Sequence, residues 1–145
     1  MFIQQLSLFV ENKPGRLAEI TDIIAKAGVD IRALSIADTA DYGILRLIVD
    51  RPADAERRLR EAGLTVRLTE VIAVGVQDIP GEFAAACRLL SEAGVAIEYL
   101  YAFLSRERGR ACVILRVDDP AKATGALTKG GIEILPPESI YTTEI

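Results

Sequence analysis

VENKPGRL at residues 10–17 and VQDIPGEF at residues 76–83 mark the start of two copies of one structural unit. The stretches lie 66 positions apart, and nine of the 25 positions aligned from residue 10 to 34 are identical. From residue 49 onward the shift becomes 68, which places Val49-Asp50 on Val117-Asp118 and implies a two-residue insertion in the loop at residues 105–109. Because such a repeat is one supersecondary unit, the chain contains two units of about 70 residues each.

Within the first copy, strand and helix patterns alternate. Residues 3–10 are rich in β-forming side chains and contain no breaker, which predicts a strand. Apolar residues from Leu17 to Ala27 recur at three- and four-residue spacing, which predicts a helix ending at Gly28. Two further strands are predicted at residues 29–36 and 43–50, a helix from Pro52 to Gly63, and a last strand within residues 64–74. The second copy repeats this order, with helices that begin near residues 82 and 120.

The order β-α-β-β-α-β is that of the ferredoxin-like unit. We therefore predict an α+β fold of two such units in tandem, each an antiparallel sheet with its helices on one face. The units are expected to span residues 1–70 and 71–145. The last strand of the first copy and the first strand of the second overlap in sequence, so one strand at about residues 70–77 is expected to be shared by both units.

Composition excludes several classes of function. The 145 residues include no histidine and two cysteines, which excludes histidine-dependent nucleophiles, histidine metal sites and all-cysteine zinc sites. The net charge of −4 argues against binding to a nucleic-acid backbone. No apolar run approaches the roughly 20 residues of a membrane span, and the first residues do not resemble a secretory leader. We expect a cytoplasmic, non-enzymatic protein without catalytic residues, cofactor or metal.

The Pro-Gly loop before each first helix is the best candidate for a binding site. Backbone N–H groups and the dipole at a helix start attract a carboxylate, and glycine lets a ligand approach the backbone closely. The side chain of Asn12 or Asp78 could accept a hydrogen bond from an ammonium group. Together these parts suit a free α-amino acid. The alternative is that Pro-Gly forms only a turn.

The same residues carry a resemblance to a known family. The opening at residues 10–17, with Asn-x-Pro-Gly before a helix, resembles that of the ACT-domain family, small ligand-binding modules of amino-acid metabolism. Residues 75–81 and the segment 90–97 resemble it again, and Ala-Gly-Val-x-Ile recurs at 27–31 and 93–97. The resemblance covers essentially the whole chain, twice. One departure is Val10, which stands where some members carry a histidine before the asparagine.

The resemblance implies that units pair and that a ligand binds between the loop after the first strand of one unit and the second strand of its neighbour. The implied contacts in the first unit are Asn12, Lys13, Gly15, Arg16, Leu17, Ile31 and Ala33. Those in the second are Asp78, Ile79, Gly81, Glu82, Phe83, Ile97 and Tyr99. Their mostly apolar side chains favour a branched or aromatic amino acid over a charged one.

Two functions stay open on this resemblance. One is a regulatory protein, expected to be a homodimer, in which an amino acid shifts the population of arrangements at ACT–ACT interfaces. The other is a regulatory subunit that docks on an enzyme of amino-acid metabolism and transmits feedback control. A small hydrolase on a ferredoxin-like fold is a third possibility, but the sequence offers no recognisable nucleophile or phosphate-binding loop for it.

Equivalent positions of the two copies also carry opposite charges, since Arg16 aligns with Glu82 and Arg32 with Glu98. Equivalent residues approach each other around a pseudo-two-fold axis, where opposite charges attract. We therefore consider that the copies face each other, within one chain or across a dimer. An ordinary solvated surface is the alternative, because exposed pairs contribute little.

Overall fold

Two βαββαβ units follow one another in the computed structural model, which describes residues 2–38, 41–105 and 107–141. The first six elements are β1 (Ile3–Glu11), α1 (Arg16–Lys26), β2 (Ile31–Asp38), β3 (Tyr42–Val49), α2 (Pro52–Glu61) and β4 (Val66–Gln77). The next six are α3 (Glu82–Glu92), β5 (Ile97–Leu104), β6 (Arg110–Val117), α4 (Pro120–Lys129), β7 (Glu133–Leu135) and α5 (Pro137–Tyr141). Residues 1 and 142–145, the ends of the two predicted units, lie outside the described residues.

The chain divides into two compact units. The N-terminal unit consists of Gln4–Thr69 together with Glu138–Ile145, and the C-terminal unit of Glu70–Pro137 together with Met1–Ile3. Strands of the N-terminal unit lie in the order β2-β3-β1-β4, and those of the C-terminal unit in the order β7-β4-β6-β5. Strand β4 thus contributes to each sheet, and the division falls within it. The predicted fold class, with its antiparallel ferredoxin-like units, is confirmed.

In the N-terminal unit the apolar stripe of each helix packs on one face of the sheet. Ile20 and Ile24 of α1 and Leu59 of α2 are buried among the inward side chains of β1 and β3. The core residues with full burial are Leu6, Leu8, Val10, Ile20, Ile24, Val29, Leu45, Leu47, Val49, Ala55, Leu59 and Val66. Alternate residues of β1 and β3 face this core, as the period of two in a strand requires.

The C-terminal unit builds an equivalent core from equivalent positions. Ala86 and Leu90 of α3 and Leu127 of α4 pack on the sheet. The buried set is Ile72, Val74, Ala86, Leu90, Val95, Val113, Leu115, Val117, Ala123 and Leu127. The β5–β6 connection spans residues 105–109 where the β2–β3 connection spans 39–41, so the two-residue insertion lies where the repeat predicts it. Among the described residues, no helix is long and apolar enough to cross a membrane.

The end of the second copy departs from the repeat. Glu138 and Ile140 align with Glu70 and Ile72 of β4, but the last strand of the second copy, β7, ends at Leu135 and helix α5 follows. The strand ends early because of Pro136-Pro137. Proline lacks the N–H that a sheet ladder needs and suits the first turn of a helix.

Helix α5 belongs to the N-terminal unit and is fastened there by two hydrogen bonds. The backbone N–H of Gln4 donates to the Tyr141 hydroxyl at 2.8 Å, and Arg32 Nε donates to the Ile140 carbonyl at 3.0 Å. The Ile140 side chain is buried. Burial also raises the pKa of Tyr141 above its ordinary value, against the smaller, lowering effect of the bond from Gln4.

Candidate functional site

The loop after β1 leads into α1 through Gly15. Its φ of 89° lies in the left-handed region that favours glycine. The N–H of Arg16 donates to the Lys13 carbonyl at 3.3 Å, and the N–H of Glu19 donates to the Gly15 carbonyl at 3.0 Å. Gly15, the residue that precedes the helix, has no side chain with which to cap it. The helix start therefore offers backbone donors to a bound anion or carboxylate.

Charged side chains form ion pairs around this loop. Lys13 Nζ lies 2.9 Å from Glu11 Oε2, and Arg16 lies 3.8 Å from Glu11 and 2.8 Å from Glu19. The hydrogen bond and the charge of Lys13, followed by the charge of Arg16, lower the pKa of Glu11 below its ordinary value. Glu11 is thus ionised and paired over the neutral pH range.

A cleft of about 360 Å³ opens beside this loop. Its lining residues are Val10, Glu11, Asn12, Lys13, Pro14, Leu17, Ile36 and Gly43. Strand pairing forms the far wall of the cleft. Val10 of β1 pairs with Gly43 of β3. Ala37, which follows Ile36 in β2, pairs with Ile44 of β3. The volume lies at the lower end of the range typical of small-molecule sites.

The C-terminal unit has a cleft of about 260 Å³ at the same place. The N–H of Asp78 donates to the Gly109 carbonyl at 2.9 Å, and α3 begins after Gly81, whose φ is 93°. As at α1, no side-chain hydrogen bond caps the helix within the described residues. The cleft is lined by Val76, Gln77, Asp78, Ile79, Phe83, Leu100, Ala102, Ala111 and Val113.

The two clefts correspond residue by residue under the shifts of the repeat. Positions 10–13 match 76–79, Leu17 matches Phe83, Ile36 matches Ala102, and Gly43 matches Ala111. Both clefts therefore lie at the end of the first strand, beside the first helix and against the second and third strands. The lining side chains differ in charge and in apolar character, which makes two variants of one site.

The structure brings some of the sequence-predicted site residues together in these clefts and places others outside them. Asn12, Lys13, Leu17, Asp78, Ile79 and Phe83 line a cleft. Gly15 and Gly81 form the adjoining helix starts, where Arg16 and Glu82 are the first helical residues. Ala33 is buried, Ile31 and Ile97 pack against the cores, and Tyr99 pairs with Arg116 across β5 and β6.

Sequence reasoning missed the wall that the second and third strands supply. Ile36 and Gly43 in one unit and Leu100, Ala102, Ala111 and Val113 in the other lie far in sequence from the Pro-Gly loops. A signal was available in the alternation of the second strand, since Leu34 and Ile36 share a face opposite to that of Ala33. Their position against the loop depends on the register with β3.

Three of the four oppositely charged equivalent residues pair within their own units. Arg32 lies 3.0 Å from Asp30 and also binds the Ile140 carbonyl, while Glu98 lies 3.4 Å from Arg116. Arg16 pairs with Glu11 and Glu19. The attraction between the copies inferred from these charges therefore stays a hypothesis. Within the described ranges, no group of three or more Cys, Asp or Glu side chains could hold a metal ion.

The chain resembles known families and structures over nearly its full length. A family model described as an ACT domain pair matches residues 1–141. The crystal structure of protein BT0572 from Bacteroides thetaiotaomicron superposes with a TM-score of 0.92 at 36% identity, over 99% of this chain and 98% of that one. No curated protein sequence matches the chain.

More distant structures share the fold. The ligand-free regulatory subunit of aspartate kinase from Thermus thermophilus superposes with a TM-score of 0.63 at 16% identity, over 89% of this chain and 93% of that one. The equivalent subunit from Thermus flavus gives the same TM-score and identity, over 90% and 94% of the two chains. At this identity the similarity concerns the fold.

Proposed function

The chain belongs to the family of ACT domain pairs, and on that premise we propose that it is a non-catalytic regulatory protein that binds a free amino acid in the cleft beside the Pro-Gly loop. The supporting observation is the recurrence of this cleft in both units, beside a helix that starts after a left-handed glycine without a side-chain cap in the described residues. We also propose that it works in the cytoplasm, where free amino acids are made and consumed.

The chemistry of the clefts suits a zwitterion. The uncapped helix start offers backbone N–H donors for the ligand carboxylate. Asn12 or Asp78 offers an oxygen that accepts from the ligand ammonium. Apolar residues such as Leu17, Phe83 and Val113 contact the ligand side chain, and this favours a branched or aromatic amino acid over a charged one.

Regulation requires that ligand binding change an interface. The edge strands β2 and β5 border the clefts, where Ile36 and Leu100 expose 46% and 43% of their surface. Exposed apolar side chains on an edge strand favour contact with another chain. We propose that a second copy covers these edges in a homodimer, and that the ligand stabilises one arrangement of ACT–ACT interfaces by its differential affinity.

A thermal-shift screen against the twenty amino acids tests the proposal. A ligand present at about 100 times its dissociation constant adds about 2.7 kcal/mol of stability, which at about 2–4 °C per kcal/mol raises Tm by roughly 5–11 °C. We expect a shift with at least one branched or aromatic amino acid. The proposal fails if none of the twenty shifts Tm.

A regulatory subunit of an amino-acid metabolism enzyme is the second candidate. The observation that favours it is an aromatic surface on the N-terminal unit, where Phe9 and Tyr42 are 72% and 51% exposed. The equivalent positions of the C-terminal unit are Gly75 and Arg110, and Arg110 pairs there with Glu133. The aromatic surface is therefore not a requirement of the fold.

Affinity purification from the native cell lysate separates the two candidates. Wild-type protein and a Phe9→Ser/Tyr42→Ser variant are compared, each with and without amino acids, and bound proteins are identified by mass spectrometry. The second candidate predicts a biosynthetic enzyme that the wild type retains and the variant loses. Ligand binding without any such enzyme supports the stand-alone regulator.

A further inference from the structure

We infer that the two clefts have diverged in ligand class, so that each chain binds one apolar amino acid, in the cleft of the C-terminal unit. This inference rests on the proposed function and adds the location, the stoichiometry and the part of the ligand that each residue recognises. It follows from a comparison of the corresponding lining residues in the two units.

The cleft of the N-terminal unit is lined by two charged side chains, Glu11 and Lys13. Glu11 and Lys13 form an ion pair at 2.9 Å, and Arg16 extends it toward Glu19. An apolar ligand in this cleft would take the charged groups of the pair out of water without replacing their hydration, which is unfavourable. Ile36 narrows the far wall as well, because its Cγ2 lies 3.1 Å from where a Cβ on Gly43 would stand.

The C-terminal unit lacks these ion pairs at the corresponding positions. Gln77 replaces Glu11 and Ile79 replaces Lys13, so that the ion pair is absent from the lining. Asp78 replaces Asn12 and makes no ion pair with any side chain in the described ranges 2–38, 41–105 and 107–141. The cleft is thus bordered by a carboxylate that forms no ion pair within the described residues, and this carboxylate selects for the ammonium of a ligand.

The remaining walls of the C-terminal cleft are apolar. Phe83, Leu100, Ala102, Ala111 and Val113 all line it. Ala102 is smaller than the equivalent Ile36, while Phe83 and Ala111 are bulkier than Leu17 and Gly43, so the C-terminal cleft is the smaller and more apolar of the two. A branched or aromatic side chain buries its surface there without desolvating a protein charge, and burial of apolar surface is favourable.

Isothermal titration of the full chain with L-leucine and L-phenylalanine tests the inference. We expect at least one of them to bind with one site per chain, and N-acetyl-L-leucine, which lacks the ammonium, to show no binding. Asp78→Asn keeps the size of the side chain and should weaken binding by about tenfold or more, the effect of removing a charged hydrogen-bond partner. Asp22→Asn makes the same change at an exposed carboxylate on α1 that lines neither cleft, and it should leave the titration unchanged.

A second variant rebuilds the ion pair of the N-terminal cleft in the C-terminal one. Gln77 and Ile79 are both exposed, so Gln77→Glu/Ile79→Lys should fold normally, as circular dichroism will verify. We expect it to weaken L-leucine or L-phenylalanine binding at least about tenfold, because the ligand must now desolvate a charged pair.

The outcomes separate the inference from the proposed function. Two sites per chain, an equal loss of binding with Asp22→Asn, or unchanged binding in both C-terminal variants overturns the inference and leaves amino-acid binding intact. Binding of charged amino acids in place of apolar ones also overturns it. If none of the twenty amino acids binds, the proposed function fails and the inference fails with it.

Discussion

One methyl group added at Gly130, which ends helix α4, should destabilise the protein. An ideal Cβ at this position would lie 2.6 Å from Cδ2 and 3.0 Å from Cγ of Leu89 on α3. The backbone of Gly130 has φ −82° and ψ 4°, which alanine adopts without strain. The cost of Gly130→Ala is therefore steric, and Leu89 must leave its place against the core of the C-terminal unit to relieve it.

The magnitude follows from two opposing effects. Overpacking costs about 1–3 kcal/mol, and replacing a glycine returns about 0.4–1 kcal/mol by restricting the unfolded chain. We expect Gly130→Ala to lower the free energy of unfolding by about 1–2 kcal/mol, which lowers Tm by roughly 2–8 °C. Urea unfolding followed by far-UV circular dichroism, with Tm from a thermal scan, measures both quantities.

Two variants show whether the contact with Leu89 is the cause. Gly125→Ala lies within the same helix with no atom within 4 Å of the added Cβ, and it should stabilise the protein by about 0.5–1 kcal/mol. In a Leu89→Ala background, Gly130→Ala should lose its penalty. The N-terminal unit holds Ile23 and Ala62 at the equivalent positions, so an alanine is compatible with the fold. A Gly130→Ala variant as stable as wild type, or a penalty unchanged by Leu89→Ala, would refute the reasoning.

Three other substitutions test local features. Tyr141→Phe removes the acceptor of the Gln4 N–H and should cost about 1 kcal/mol at neutral pH. Burial raises the Tyr141 pKa above its ordinary value of 10.0, so the wild type should lose stability as the pH rises above about 10. Urea unfolding at pH 9 and 11 should show a larger loss of stability for the wild type than for Tyr141→Phe. Asp119 caps α4 by accepting from the Lys122 N–H, so Asp119→Ala should lower unfolding free energy by about 1 kcal/mol in urea and Asp119→Asn by less. Gly81→Ala should cost about 1–2 kcal/mol, because φ is 93° there and no nearby atom gains a contact; an unchanged Tm would contradict this.

Local patterns made the fold predictable. Helix and strand periodicity, Pro-Gly loops and glycines in the left-handed conformation are features of a few neighbouring residues. Because the sequence repeats, both copies predicted the same order of elements. The second copy departs from the first at Glu138–Tyr141, which align with residues of β4 but form helix α5 after Pro136-Pro137.

The candidate site was predictable only where it depends on neighbouring residues in the sequence. Asn12, Leu17, Asp78 and Phe83 follow directly from a Pro-Gly loop before a helix, which is a local feature, and all four line the clefts. The strand residues on the far wall depend on the pairing of β2 with β3 and of β5 with β6. A shift of one residue in either register would turn the opposite face of the strand toward the loop.

The sequence by itself determined the number of units, their fold class and the place of the Pro-Gly loops, because periodicity and turn chemistry are encoded in neighbouring residues. Only the tertiary structure decided that Ile36 lines one cleft with Val10 and Gly43, that Lys13 pairs with Glu11, and that Asp78 borders an apolar cleft. These relations depend on strand register and side-chain distance, and they are what distinguishes one copy of the unit from the other.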